Sequence, residues 1–237
     1  MTIPMRAGVI TIAAVALGIG LSGCGSDTKT EETTSTSTSA SASESESATS
    51  SSEAPTTSAA AAAPKKSIAD YIKENNITET PVKRGDPGSP TIDLPFPQGW
   101  VDMGADTPEW AYAGIVFTGD PTMAKNPPTI IAIVSKLTGN VDPAKILEYA
   151  PGEVQSLEGY QGPETGQPSK LGGFDATQVG GTYTKDGVSR MVAQKTVVIP
   201  GQDGLFVLQL NADGTEDQAM PLMDATQTID DQTTITP

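Results

Sequence analysis

Residues 174–210 read FDATQVGGTYTKDGVSRMVAQKTVVIPGQDGLFVLQL. Phe174 to Thr184 and Val188 to Ile199 are runs rich in apolar and β-branched residues, which favour a pleated, half-buried surface. Between them stands Lys185-Asp186-Gly187, whose Asp-Gly pair suits the positive φ of a two-residue hairpin turn. Gln202-Asp203-Gly204 makes the next turn, and Leu205 to Leu210 follows with Phe206, Leu208 and Leu210 on one face. Strands joined by tight hairpins pair antiparallel. This stretch therefore predicts a meander.

Working outward, the flanks alternate less regularly. Upstream, Thr91–Leu94, Ala111–Phe117 and Thr129–Leu137 read as strands bounded by turn residues. Ser67 can cap a helix, with Asp70 standing in for the usual capping-box Glu, and Ile68, Tyr71 and Ile72 form its apolar stripe. Asp142-Pro143 is a second helix start, Asp as N-cap and Pro at the first helical position. Its apolar face continues through Ile146, Ala150, Val154 and Leu157, but Pro151 predicts a kink or two short helices. Thr215 and Gln218 are spaced as a capping box for a last helix with Ala219, Leu222, Thr226 and Ile229 as its stripe, and Pro221 leaves its start open. Helices do not alternate with strands one by one. The expected class is α+β, an antiparallel sheet of about six strands flanked by helices and preceded by a disordered tether.

The amino terminus sets the location. Met1 to Arg6 carries one basic side chain, and Ala7 to Leu21 is apolar or small and uncharged. This is the layout of a secretory signal peptide, residues 1–23, and the run falls short of the ~20 residues of a membrane span. It ends in Leu21-Ser22-Gly23-Cys24, which resembles the lipobox of bacterial lipoproteins. There the cysteine sulfur takes the lipid and the chain is cut before it. Cys24 is the only cysteine, so no intramolecular disulfide can form. Cys24 is the predicted lipid-attachment residue. It anchors an exported protein to the outer face of the cell membrane, cell-wall associated or shed in part.

Gly25 to Pro64 is dominated by Ser, Thr and Ala with scattered Glu. Lacking aromatic and large aliphatic residues, it cannot bury enough apolar surface to offset ordering entropy. Residues 24–66 are thus read as lipidated cysteine plus flexible linker, with a reach of roughly 35 Å, and its hydroxyls are predicted O-glycosylation acceptors. Residues 67–237 should form one globular domain.

Composition limits the chemistry. The chain has no histidine and a formal charge of −15. Acidity disfavours phosphate backbones, so no nucleic-acid partner is expected. Without histidine there is no Ser-His-Asp triad, and with Cys24 acylated there is no thiolate nucleophile or ordinary zinc site. No phosphate-binding glycine loop is present. Neither catalytic residues nor a metal or cofactor site is predicted. Asn211-x-Asp213-Gly214-x-Glu216 lacks calcium-loop spacing and is read as a turn before a helix cap. Arg84-Gly85-Asp86 matches an integrin-type tripeptide and is read as a loop made by Gly, Asp and Pro87. Trp100 and Trp110, at element edges, are core plugs or the rim of an apolar cavity.

Leu94-Pro95-x-Pro97-x-Gly99-Trp100, Ile131-Ala132-Ile133, Leu137-Thr138-Gly139 and Asp142-Pro143 follow in order after the lipobox and tether. In this the chain resembles the LpqN/LpqT lipoproteins of mycobacteria and related actinobacteria, and more widely the Mog1/PsbP-like fold. The resemblance implies a cell-envelope lipoprotein without established catalysis, in a mycolate-rich envelope. Its candidate partners are envelope lipids and lipid-export or envelope-assembly proteins. Expected is a non-enzymatic binding module held at the membrane through Cys24. The alternatives are a surface antigen or adhesin meeting host proteins through Arg84-Gly85-Asp86, and a carboxylate-dependent hydrolase with an acidic pair in one pocket.

Overall fold

The structure, a computed structural model, describes residues 65–237. The leader, Cys24 and almost all of the tether lie outside the described residues. In chain order the elements are helix α1 (Ile68–Glu74), strands β1 (Thr78–Pro81), β2 (Thr91–Asp93), β3 (Trp100–Asp102), β4 (Ala113–Phe117) and β5 (Thr129–Thr138), then helices α2 (Pro143–Tyr149) and α3 (Pro151–Gln155). Strands β6 (Gln167–Leu171), β7 (Phe174–Lys185), β8 (Val188–Gly201) and β9 (Gly204–Thr215), helix α4 (Ala219–Gln232) and strand β10 (Thr234–Thr236) complete the chain.

The main sheet is antiparallel, in the order β3-β4-β5-β9-β8-β7-β6, with β1 pairing the far end of β5. It has eight strands, two more than expected, and the α+β class stands. The β7–β8 hairpin turns at Asp186 (φ 52°) and Gly187 (φ 75°), the double positive φ that the Asp-Gly pair predicts. Fully formed pairing of β8 with β9 from Arg190–Thr215 to Gly201–Gly204 makes these two strands the centre of the sheet.

Each face of that centre has its own core. Val197, Ile199, Leu208, Leu210 and Ala212 face one way and pack with Leu222, Ala225 and Ile229 of α4. Val198, Leu205 and Val207 face the other way and pack with Ile68, Tyr71 and Ile146 of α1 and α2. Alternate residues of one strand thus feed two cores, which is why Gln194 to Ile199 are buried without a break. Each large aliphatic side chain so covered contributes about 1.5–3 kcal/mol.

The local signals of the helices hold. Ser67 and Asp70 form the reciprocal capping box of α1, and Asp142 accepts from the Ala144 N–H at the start of α2. Pro151 ends α2 and opens α3: it has no N–H to continue the ladder, so the chain restarts with Pro at the first helical position. Thr215 and Gln218 form the capping box ahead of α4, and Pro221 sits in the first turn, where its missing N–H costs nothing.

Three segments differ from the sequence reading. Residues 211–215, read as a turn, continue β9, because β8 offers pairing partners out to Arg190 and tertiary pairing overrides local propensity. Thr91–Asp93 is a strand but not of the main sheet; it pairs with β10 at the carboxy terminus, Ile92 opposite Ile235. The buried centre of the α4 stripe is Ala225, with Thr226 turned toward a cavity.

Candidate functional site

Helix α4 does not seal the sheet beneath it. Between them lies a cavity of about 380 Å³, within the range of small-molecule sites. Its floor follows from register. Gly180, Ala193, Ala212 and Ile130 stand opposite one another across β7, β8, β9 and β5, and opposed residues share a face. Three small side chains in a row leave a trough that α4 bridges rather than fills.

The next row is chemically different. Gln167, Gln178, Lys195 and Leu210 are opposed across β6 to β9. Lys195 is 8% exposed, and its Nζ donates to Asp230 Oδ1 of α4 at 2.6 Å. Gln227 and Thr226 add polar groups from the roof. The cavity therefore has an apolar trough under Met223 and a polar end built from carboxamides and one ion pair. Burying that ammonium is tolerable only because the carboxylate faces it.

The helix that forms the roof is strapped at both ends. Gln218 donates to the Asn126 carbonyl at 2.7 Å and accepts from the Thr215 N–H at 2.9 Å. After the helix, β10 pairs with β2, and Ile235 lies against Gly172, whose φ of +55° and close contact with Ile235 leave no room for a side chain. The Lys195–Asp230 pair fastens the last turn of the helix to β8.

On the opposite face of the sheet, Tyr183 Oη donates to Asp213 Oδ2 at 2.6 Å and Arg190 Nε donates to Asp213 Oδ1 at 2.9 Å. Burial, together with that carboxylate, pushes the Tyr183 hydroxyl's pKa up, and the Asp213 hydrogen bond raises Arg190's. Asp213 is thus a structural acceptor inside a strand, which replaces the turn reading of 211–215. A separate groove beside α3 contains Glu148 and Glu164; Glu148 is exposed and paired with Lys145 at 2.7 Å. The cavity under α4 contains one carboxylate, Asp230. Among the described residues no cluster of three metal-ligating side chains occurs and no helix is long and apolar enough to cross a membrane.

The residues singled out from sequence fall elsewhere. Trp100 is buried and packs against Phe117, with ring centroids 5.7 Å apart. Trp110 is 57% exposed. Neither lines the cavity under α4 or the groove beside α3; both stem from the β3–β4 side of the sheet. Arg84-Gly85-Asp86 is an exposed loop in which Asp86 accepts from the Lys83 N–H at 2.7 Å and the Arg84 guanidinium lies over the Tyr112 ring. Lys195 and the Gly180–Ala193–Ala212 row went unrecognised in the sequence. A lysine inside the apolar run ending at Ile199 was the one visible trace, as charge is rarely buried unpaired. The row itself exists only once register is set.

An antiparallel sheet with helices on both faces and a cavity beneath one of them defines a class: α+β modules in which a helix roofs a cavity on the sheet. Residues 64–236 match the family described as probable lipoprotein LpqN, so the chain belongs to the LpqN lipoprotein family. It is 58% identical over 174 residues to lipoprotein LpqN of Mycobacterium tuberculosis, covering 73% of this chain and 75% of that protein. The crystal structure of LpqN "involved in cell envelope biogenesis of Mycobacterium tuberculosis" superposes with a TM-score of 0.70 at 57% identity, over 74% of this chain and 100% of that one. The solution structure of cyanobacterial PsbP from Synechocystis sp. PCC 6803 is a remote match, at 10% identity and a TM-score of 0.41 over 67% of this chain and 92% of that one.

Proposed function

We propose that this protein is a non-enzymatic envelope lipoprotein that shelters an amphiphilic envelope lipid between α4 and the sheet and presents it to export or assembly proteins. The observation that carries this reading is the two-part cavity: an apolar trough suited to a hydrocarbon chain, ending at Gln167, Gln178 and Lys195, which suit a hydrogen-bonding head. The lipid on Cys24 and the linker of residues 24–66 would hold the domain at the outer face of the membrane with a reach of roughly 35 Å.

The test is native mass spectrometry of residues 64–237 purified from a host supplied with envelope lipids, before and after organic extraction. The solved LpqN relative consists of this domain alone, so the segment is a suitable unit. A discrete adduct lost on extraction is expected, and absent from Thr226→Trp, which fills the trough from the helix side. A bare wild-type domain would refute lipid binding and leave protein docking as the function.

A further inference from the structure

The trough does not end at Met223. A second, smaller chamber of about 60 Å³ continues beneath the amino-terminal end of α4. It shares Ala193, Ala212, Met223 and Thr226 with the first and adds Met191, Val192 and Leu222. Thr226 supplies the only side-chain polar group among these. The two chambers lie in line, because α4 runs in the same direction as β8: Asp230 faces Lys195 at one end, while Leu222 and Met191 mark the other.

Met223 stands where they meet, and much of its side chain is free of the core, at 59% exposed. An unbranched thioether with three rotatable bonds moves readily between rotamers. Leu222 beside it is buried in the core and cannot do so.

We propose that Met223 is the specificity-determining residue of this cavity: it partitions one continuous channel and so sets the length of the single linear hydrocarbon chain the protein accepts. This rests on the lipid-binding reading above and adds the ligand's orientation. The head lies at Gln167, Gln178 and Lys195, and the methyl end points toward Leu222 and Met191. In the wild type the chain stops against Met223. With the partition removed, the smaller chamber admits roughly four further methylene-sized groups, at about 15 Å³ of such space each. Each methylene newly buried strengthens binding by up to about fourfold.

The test titrates residues 64–237 with saturated 1-alkyl glycerol ethers of about 6 to about 14 carbons, below their aggregation threshold, where each added methylene is expected to strengthen binding until the chamber is full. Affinity should rise with chain length and then level off. In Met223→Ala the plateau should begin roughly four carbons later. In Met223→Ala combined with Met191→Trp, which refills the small chamber from the sheet side, it should return to the wild-type position. Met223→Leu should leave it in place. A plateau unmoved in Met223→Ala, with wild-type binding intact, overturns the partition while the lipid-binding reading survives. A plateau that moves but is not restored by Met191→Trp also overturns it, because the gain would come from elsewhere. Absence of binding by every ether in the wild type overturns both.

Discussion

The Lys195–Asp230 pair fastens α4 over the cavity, and its loss should be measurable as both lost stability and a looser roof. The Lys195 side chain is 10% exposed and that of Asp230 35%. Truncating one partner of a fully buried pair costs about 3–5 kcal/mol, because the other charge is stranded; an exposed pair contributes about 0–1. Here the ammonium would be stranded on the buried side while water reaches the carboxylate side, so Asp230→Ala should cost about 2 kcal/mol. For a domain of this size that lowers Tm by about 4–8 °C. Lys195→Met alone leaves the carboxylate partly solvated and should cost less, about 1 kcal/mol. The double variant Lys195→Met with Asp230→Leu replaces the pair by apolar volume and should return to within about 1 kcal/mol of wild type. Urea denaturation of wild type, Lys195→Met, Asp230→Leu and the double variant closes the cycle with matched substitutions. Additive losses, with the double variant as unstable as the sum of the singles, would refute the claim that these two charges act on each other.

Four further outcomes follow, two from the structure and two from the amino-terminal sequence. A Cβ on Gly152 would run into the Lys66 carbonyl, so Gly152→Ala must displace the segment that joins linker to α1; urea denaturation should show a loss of about 1–3 kcal/mol. The Ser67 backbone and side-chain donors at 2.9 and 2.8 Å hold the Asp70 carboxyl below its ordinary pKa. A depressed folded-state pKa makes this contribution complete above the unfolded value of about 3.9 and lost as pH falls through the lower folded value. The stability gap between wild type and Asp70→Asn should therefore close on acidification, and a gap that persists unchanged to about pH 2 would contradict the capping role. Cys24→Ala should move the protein from the membrane fraction to the soluble fraction, and the intact mass of the native mature protein should exceed that of the acylated chain if the linker hydroxyls are glycosylated.

Much of this molecule is written locally. Asp186-Gly187 has to turn a hairpin, because few residues adopt two successive positive φ values. Ser67, Asp142 and Thr215 start helices through bonds made within three residues. The uncharged run before Cys24 and the Ser/Thr linker act through composition alone, so export, lipidation and tethering are expectations that need no fold. What tertiary structure decided is everything that depends on pairing across distance. The short strands β1, β3, β6 and β10 carry weak propensity and exist because a partner edge is present. Residues 211–215 became strand rather than turn for the same reason. The cavity is the clearest case: Gly180, Ala193 and Ala212 are unremarked small residues in three separate strands, and only one-to-one register places them side by side under α4. A slip of one residue would turn each of them to the other face and close the trough. Sequence patterning determines which faces are apolar; register alone determines where the apolar face is left unfilled.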